Sequence, residues 1–305
     1  MTTQDLVAQF HAYLLTEKRV SNNTFLAYKR DIDQLIIYLD QSALSVAGLT
    51  KKQLGDFIKT LKDQGLTAKT LSRKISSFKI FFSFLAQSFK ISDLGKSLIF
   101  PTIEKTLPSY LTEPEVERLL LAANADTTNK GIRNKVMLYM LYATGVRVSE
   151  LVNLTVDQLQ FDTGFVKIIG KGGKERMIPV PRNILELLRF YLDHVYYKLH
   201  PTLREQRTKK TMYLFAAVYD NQIKPLSRQS FWMALKKILS NAAITKNVSP
   251  HSLRHSLATH LLEKGADLRS LQMLLGHQSL ATVQIYTHLG KSQVRKIYDK
   301  KHPRA

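Results

Sequence analysis

Cysteine is absent from the 305-residue sequence. Its absence excludes disulfide bonds, catalysis by a thiol and zinc sites built on cysteine, and it agrees with a cytoplasmic protein. Long hydrophobic runs are also missing. The most apolar stretch, Val136 to Val146, contains two tyrosines and is shorter than the ~18 residues that a membrane-spanning helix needs. The first ten residues include Asp5 and lack the pattern of a signal peptide, so we expect no membrane insertion.

Acidic residues are scarce relative to basic ones. The chain has 24 Asp and Glu against 45 Lys and Arg, which gives a net charge of +21. An excess of this size is typical of proteins that bind a polyanion such as nucleic acid. A ribosome-associated protein, or a merely soluble basic protein, would have the same composition, so charge alone does not decide the function.

The first hundred residues have the periodicity of amphipathic helices only. Four apolar stripes follow one another along this region. Thr50 and Gln53 have the spacing of a capping box at the start of the third stripe, Gly65 is suited to end it, and Thr67 can cap the fourth. Four helices joined by short loops predict a small all-α domain.

The helical pattern lapses between Gly95 and Ser109, which predicts an extended linker. Beyond it, Thr112 can cap a helix, and a later apolar helix ends at Gly145. Between Phe161 and Val180 the apolar pattern changes from the period of helices to that of strands, around a glycine-rich turn. This change indicates a β-hairpin, and helical patterns return afterwards. We therefore predict a mainly α protein of two domains. Residues 1–98 form the four-helix domain, residues 99–109 the linker, and residues 110–305 an α-rich domain with a small antiparallel β-sheet.

Two segments present cations beside glycine turns. Arg147 follows the helix end at Gly145, and Glu150 lies near enough to brace its guanidinium, although an ordinary surface Arg–Glu pair is the simpler interpretation of this segment alone. The hairpin tip carries Lys171 and Lys174, which by themselves make a generic basic loop. The Gly-x-x-x-x-Gly-Lys-Ser/Thr motif is absent, which excludes a P-loop.

The last third of the chain concentrates further chemistry. His251 and Arg254 share one face of a predicted helix, His277 follows the next helix, and Tyr286 lies nine residues beyond it. His255, His260 and His288 lie in the same region. A metal site is an alternative interpretation. The His-Glu-x-x-His pattern is missing and no carboxylate completes the set, so we expect no metal.

These residue types together suit cleavage of a phosphodiester bond without a metal or other cofactor. Paired arginines can stabilise charge on the non-bridging oxygens, a histidine can move protons, and a lysine can protonate the departing alkoxide. A tyrosine hydroxyl has a reference pKa of about 10 and attacks well only beside a base or a strong positive potential.

The sequence resembles the tyrosine site-specific recombinases, most closely those of the Xer type. The likeness rests on Arg147 in Thr-Gly-x-Arg-x-Ser-Glu-Leu, Lys171 in Gly-Lys-Gly-x-Lys-x-Arg, His251-x-x-Arg254, Leu-Gly-His277 and Tyr286. Each motif is nonspecific alone, but five in order at the family's spacing are highly specific. The resemblance covers essentially the whole chain, from Thr24-x-x-x-Tyr28-x-x-Asp31 to Lys301-His302-Pro303-Arg304-Ala305.

The resemblance implies a role for each of these residues. Tyr286 would attack the phosphate, form a 3′-phosphotyrosine and release a 5′-hydroxyl, and Lys171 would be the general acid for the leaving oxygen. Arg147 and Arg254 would hold the phosphate in the transition state. His251 and His277 would assist proton transfer, and Glu150 would orient the site.

The resemblance also implies that the N-terminal helices form a SAM-like core-binding domain that clamps duplex DNA with the catalytic domain. The fourth helix carries four cations that we expect to contact DNA, an ordinary solvated face being the alternative: Lys69, Arg73, Lys74 and Lys79.

The partners implied are double-stranded DNA with a specific recombination site, a tetramer on DNA that includes a second, XerC-like recombinase, and a DNA-translocase activator. Val294, Ile297 and Tyr298 in the tail have helical spacing and would pack on a neighbouring protomer or on their own domain. We expect resolution of chromosome or plasmid dimers. The alternatives are an integrase or resolvase of a mobile element, which the compact length disfavours, a type IB topoisomerase, and a non-catalytic basic DNA-binding protein.

Overall fold

The computed structural model describes residues 2–102, 110–170, 173–201, 212–219 and 222–275. Contacts between residues divide the chain into two compact units, Met1–Thr106 and Leu107–Ala305. Each unit has its own hydrophobic core.

The first unit consists of four helices, as predicted. They are α1 (Thr3–Thr16), α2 (Asn22–Gln41), α3 (Lys51–Asp63) and α4 (Ala68–Phe89). The capping box of Thr50 and Gln53 and the N-cap at Thr67 are both present, and Gly65 follows α3 with φ +81°. Helix α4 packs against the other three and contributes most of an aromatic core, in which the rings of Phe10 and Phe81 meet edge to face at 5.0 Å.

One cation of α4 lies in that core rather than on its solvated side. Lys74 is 8% exposed, and its Nζ donates to Asp31 Oδ1 at 3.0 Å and to Gln34 Oε1 at 2.6 Å. Asp31 is fully buried and also accepts hydrogen bonds from Arg73 and Ser77. The prediction that Lys74 belongs to the polar face was wrong, because a carboxylate 43 residues away compensates its charge inside the core.

The start of the predicted linker is also part of this unit. Residues Leu94–Ser97 form a 3₁₀ turn that packs on α4. Gly95 is buried, and a Cβ atom there would lie 2.8 Å from the Cα of Lys79. The Nζ atom of Lys79 in turn lies 4.8 Å from the centre of the Phe100 ring. The expectation of an extended chain from Gly95 onward was therefore wrong for this turn, because glycine here permits close packing.

In the part that the structure describes, the second unit is α-rich with two small antiparallel sheets. Its helices are α5 (Glu113–Asn124), α6 (Asn129–Thr144), α7 (Val148–Val152), α8 (Arg182–Tyr191), α9 (Tyr197–Leu199), α10 (Arg228–Asn241), α11 (Pro250–Glu263) and α12 (Leu268–Leu275). Short 3₁₀ and π turns lie at Val156–Gln158 and Leu192–Tyr196. Helix α6 is the central element, because its apolar residues are buried against α5, α8, α10 and α11.

The predicted hairpin is present. Strands β1 (Leu159–Gln160), β2 (Phe165–Ile169) and β3 (Glu175–Pro179) form one sheet, in which Val166 pairs with Ile178 and Ile168 with Arg176. A second hairpin of β4 (Ala216–Tyr219) and β5 (Gln222–Pro225) was not predicted. None of the helices in the described ranges combines the length and apolar character needed to cross a membrane.

Candidate active site

The site is built around the end of helix α6. Gly145 follows the helix with φ +60°, a left-handed conformation that favours glycine, and its N–H donates to Leu141 O at 3.0 Å. A Cβ atom at this position would lie 2.7 Å from Leu275 Cδ2 and 2.8 Å from Leu257 Cδ2. Gly145 therefore serves two purposes, because it turns the chain sharply and lets α11 and α12 approach the turn.

Arg147 follows this turn and is the N-cap residue of α7. Its backbone N–H donates to Glu150 Oε2 at 2.8 Å, and its Nη1 donates to Glu150 Oε1 at 3.0 Å. The Arg147 side chain is 42% exposed, whereas that of Glu150 is 6% exposed. The buried Glu150 carboxylate thus holds the Arg147 guanidinium at the surface, and the role of this pair in catalysis stays a prediction.

A second arginine binds the same carboxylate from the hairpin. Arg176 on β3 donates from Nη1 to Glu150 Oε1 at 3.0 Å and from Nη2 to Oε2 at 2.7 Å. Burial acts to raise the pKa of the Glu150 carboxyl, but hydrogen bonds from Arg176 and Arg147 outweigh it, so the pKa lies below its ordinary value. Glu150 is therefore ionised at neutral pH. Arg176 is the last residue of the Gly-Lys-Gly-x-Lys-x-Arg motif, and no role was predicted for it.

Arg254 enters the site from helix α11, which begins with the N-cap Ser249 and Pro250. It is 4% exposed, donates from Nη1 to Gly145 O at 2.5 Å, and also donates from Nη2 to Leu275 O. Burial, followed by the like charge of Arg147, lowers the pKa of Arg254 to about 10. Arg254 is still protonated at neutral pH, and an anion beside it would relieve both unfavourable effects.

The described part of the site therefore has an excess of positive charge. Three guanidinium groups, those of Arg147, Arg176 and Arg254, lie in this region with the carboxylate of Glu150. Arg147 and Arg176 donate hydrogen bonds to the carboxylate, and the positive charges of both act on Arg254. Such a cluster can bind a phosphate and stabilise negative charge that develops on it during a reaction.

The other predicted site residues are distributed as follows. His251 is exposed near the start of α11, three residues before Arg254. Lys171, His277 and Tyr286 lie outside the described residues, although Lys171 directly follows Gly170 of the hairpin and α12 ends two residues before His277. The structure thus brings together Arg147, Glu150 and Arg254 and leaves the remaining positions untested.

The histidines considered for a metal have other surroundings. His260 is 1% exposed, and its Nδ1 lies 2.9 Å from the hydroxyl of Tyr142. His255 packs edge to face with the ring of Tyr110. His288 lies outside the described residues. Within the part of the chain that the structure describes, no three His, Cys, Asp or Glu side chains form a group that could hold a metal ion.

The cations predicted to contact DNA all belong to the first unit. Lys69 is exposed near the start of α4, and Arg73, whose side chain is 43% exposed, forms an ion pair with Asp31. Lys79 is half-buried, and its Nζ lies over the Phe100 ring. Lys74 is buried.

Comparisons with known proteins assign both units to characterised families. Residues 109–293 match the model of the phage integrase family, and residues 7–88 match the phage integrase, N-terminal SAM-like domain. Together these two matches cover most of the chain and agree with the predicted SAM-like fold of the first unit.

Curated relatives match over nearly the full length. Tyrosine recombinase XerD of Staphylococcus saprophyticus subsp. saprophyticus is 39% identical over 304 residues, which are 98% of this chain and 99% of the relative. Tyrosine recombinase XerD of Staphylococcus haemolyticus is 37% identical over 306 residues, which are 99% of this chain and 100% of the relative.

Solved structures agree on the fold. The XerH site-specific recombinase, bound to its difH substrate in a pre-cleavage complex, matches with a TM-score of 0.70 at 22% identity and covers 96% of this chain and 94% of its own. A lambda integrase dimer bound to a COC′ core site matches with a TM-score of 0.66 at 17% identity, over 93% and 100% of the two chains.

Proposed function

The chain belongs to the phage integrase family of tyrosine recombinases, and we propose that it recombines DNA at a specific site to resolve chromosome or plasmid dimers. It is an enzyme that cleaves and rejoins DNA strands in site-specific recombination, through the 3′-phosphotyrosine intermediate that is general to the family. The chromosomal role is supported by the near full-length similarity to XerD relatives.

The observation that carries the catalytic proposal is the arginine cluster around Glu150. Arg147 is held at the surface by a buried carboxylate, and Arg254 is buried with a lowered pKa beside it. A scissile phosphate bound between these two guanidinium groups would satisfy their excess charge. Because the charge on its non-bridging oxygens grows in the transition state, the same contacts would accelerate cleavage.

The remaining steps are assigned to the residues named in the family motifs. The Tyr286 hydroxyl attacks the phosphorus, the bond to the 5′ oxygen breaks, and Lys171 gives that oxygen a proton. His251 and His277 assist the transfer of protons and the stabilisation of charge. A 5′-hydroxyl from a partner strand then attacks the phosphotyrosine, which restores the phosphodiester and frees the tyrosine without ATP or a metal.

Trapping on a nicked duplex tests this assignment. Cleavage of a suicide substrate that carries a candidate chromosomal recombination site releases a short 5′-hydroxyl fragment, so the covalent complex accumulates. We expect the unsubstituted enzyme and Tyr298→Phe to form this complex, and Tyr286→Phe to bind the duplex without forming it. Covalent product at the ordinary level in Tyr286→Phe would move the nucleophile elsewhere. Recombination of mobile-element ends but not of chromosomal sites would overturn the proposed role.

Lys69, Arg73 and Lys79 are proposed to contact the DNA backbone from α4. Lys69 is exposed, and Arg73 is oriented by the buried Asp31 while its own side chain stays partly exposed. Lys69→Gln should weaken DNA binding and reduce the slope of log K against log salt by about 1, since one phosphate contact is lost. Lys74→Gln is the matched comparison, because a buried lysine should affect stability more than this slope.

The enzyme is further proposed to act in the cytoplasm as a tetramer on two duplexes, with a second, XerC-like recombinase and a DNA translocase as activator. Strand exchange needs four active sites, and the apolar stripe of Val294, Ile297 and Tyr298 is suited to insertion into a neighbouring protomer. Truncation after Gly290 should leave single-site binding intact and abolish assembly and exchange. Tetramers and normal exchange without the tail, measured by sedimentation and recombination on paired sites, would contradict this proposal.

A further inference from the structure

Arg176 connects three parts of the second unit. It lies in β3 opposite Ile168, and its side chain is only 14% exposed. Two of its nitrogens bind the two oxygens of Glu150 on α7, at 3.0 Å and 2.7 Å. Its Nε donates to Leu274 O at the end of α12, at 3.4 Å. One guanidinium thus joins the hairpin, the start of α7 and the end of α12.

Each of these three parts adjoins a residue of the proposed mechanism. Arg147 is the N-cap of α7, Lys171 is the second residue in sequence after β2, and His277 is the second residue in sequence after α12. Arg176 donates to protein groups from all three of its guanidinium nitrogens, so these contacts concern the placement of the neighbouring residues.

The turn end of the hairpin lies beside the Glu150–Arg176 pair. A Cβ atom at Gly170 would lie 3.5 Å from Arg176 Nη1 and 3.7 Å from Glu150 Oε1. The Gly170 N–H donates to Lys174 O at 2.7 Å and closes the hairpin there. The residue directly before Lys171 is therefore seated against the ion pair that also holds Arg147.

We propose that Arg176 is a positioning residue that aligns the general-acid hairpin with the phosphate-binding Arg147, and so controls protonation of the leaving oxygen. This inference rests on the proposed role of Lys171. An arginine is required because its planar fork reaches both oxygens of Glu150 and the Leu274 carbonyl at once. A lysine keeps the charge but cannot make all three contacts, so it leaves the hairpin less well fixed.

A change of leaving group tests the proposal. Two suicide duplexes are compared, one with the ordinary scissile phosphate and one in which sulfur replaces its bridging 5′ oxygen. A thiol has a reference pKa of about 8.5 and departs without a proton, whereas an alkoxide needs one. We expect Arg176→Lys and Arg176→Gln to slow covalent-complex formation on the oxygen substrate by about 10- to 100-fold, and to approach the unsubstituted rate on the sulfur substrate.

The ratio of the two rates separates positioning from loss of folded protein, because a smaller active fraction lowers both rates equally. Lys167→Gln is the matched control, since it removes a cross-strand ion pair with Glu175 on the same hairpin, 2.8 Å long and away from Glu150. This control should leave the ratio unchanged. Equal slowing of both substrates by Arg176→Lys and Arg176→Gln would overturn the proposal.

Lys171→Ala, assayed on the same pair of duplexes, distinguishes this inference from the function on which it rests. Rescue of Lys171→Ala by sulfur, without rescue of the Arg176 variants, would reject the positioning role and keep Lys171 as the general acid. Failure of sulfur to rescue Lys171→Ala would reject the assigned general acid itself, and the inference with it. Rescue of both sets of variants supports the proposal.

Discussion

Replacement of Gly145 by alanine should destabilise the second unit and disturb the arginine cluster. Alanine at φ +60° costs roughly 1–2 kcal/mol, because its Cβ approaches the following carbonyl oxygen. The same Cβ would lie 2.7 Å from Leu275 Cδ2 and 2.8 Å from Leu257 Cδ2, and such overpacking adds about 1–3 kcal/mol. We therefore expect a loss of about 2–5 kcal/mol in the free energy of unfolding.

Gly65→Ala provides the matched comparison. Gly65 also has a left-handed conformation, with φ +81°, but a Cβ atom there would meet nothing within 4 Å. It follows α3 in the first unit, so its replacement should cost only the backbone strain of roughly 1–2 kcal/mol. The difference between the two variants isolates the contact of Gly145 with α11 and α12.

The single tryptophan of the chain allows the two units to be followed separately. Trp232 lies on α10 in the second unit, so its fluorescence in a urea titration reports that unit, while far-UV circular dichroism reports the helices of both. Gly145→Ala should shift the fluorescence transition and Gly65→Ala should not. This expectation would be contradicted by a Gly145→Ala variant that loses no more stability in its unit than Gly65→Ala loses in the other, or that cleaves DNA normally.

Three further predictions follow from contacts described above. Asp31→Asn should lower the free energy of unfolding of the first unit by about 3 kcal/mol, because it leaves the charge of Lys74 buried and uncompensated. An unchanged transition in a thermal or urea melt would contradict this prediction. Burial lowers the pKa of His260, against the charges of Glu113 and Glu263, so its neutral form is favoured and stability should fall as the pH drops below 6.5. His260→Asn retains an acceptor for the Tyr142 hydroxyl but removes the imidazole. The melting temperatures of this variant at pH 7.5 and 5.5, about 1 unit on either side of 6.5, should therefore differ less than those of the unsubstituted protein. Arg147→Ala should reduce cleavage at least ~100-fold with little change in DNA affinity, and EDTA should leave the activity of the unsubstituted enzyme intact; near-normal cleavage with weakened binding would make Arg147 only a phosphate clamp.

The features predicted correctly from the sequence depend on residues that are close along the chain. The capping boxes at Thr50 and Thr112 connect positions three residues apart, and Gly145 ends its helix by its own backbone conformation. Arg147 and Glu150 are likewise neighbours in sequence. Such signals can be recognised in a single sequence because no distant partner is needed to produce them.

The features that were missed depend on distant partners or on weak patterns. Lys74 was assigned to the surface because its carboxylate, on α2, is not marked by any local spacing. Arg176 had no assigned role because Glu150 lies 26 residues away on another element. The hairpin of β4 and β5 has only four residues in each strand, too few for an alternating pattern to stand out. Lys171, His277 and Tyr286 were named through the family motifs and stay predictions.

The sharing of one carboxylate by two arginines has a genetic consequence. Glu150 binds Arg147 and Arg176 at the same time, so the loss of either arginine changes what the other gains from it. Substitutions at contacting residues of this kind are not additive. In a sequence that had lost Arg176, selection to keep Glu150 would be weaker. In a sequence that had lost Glu150, the positive charges of Arg147 and Arg176 would lie side by side. Tolerated changes at these three positions should therefore depend on one another, with each residue setting the genetic background in which the next can vary.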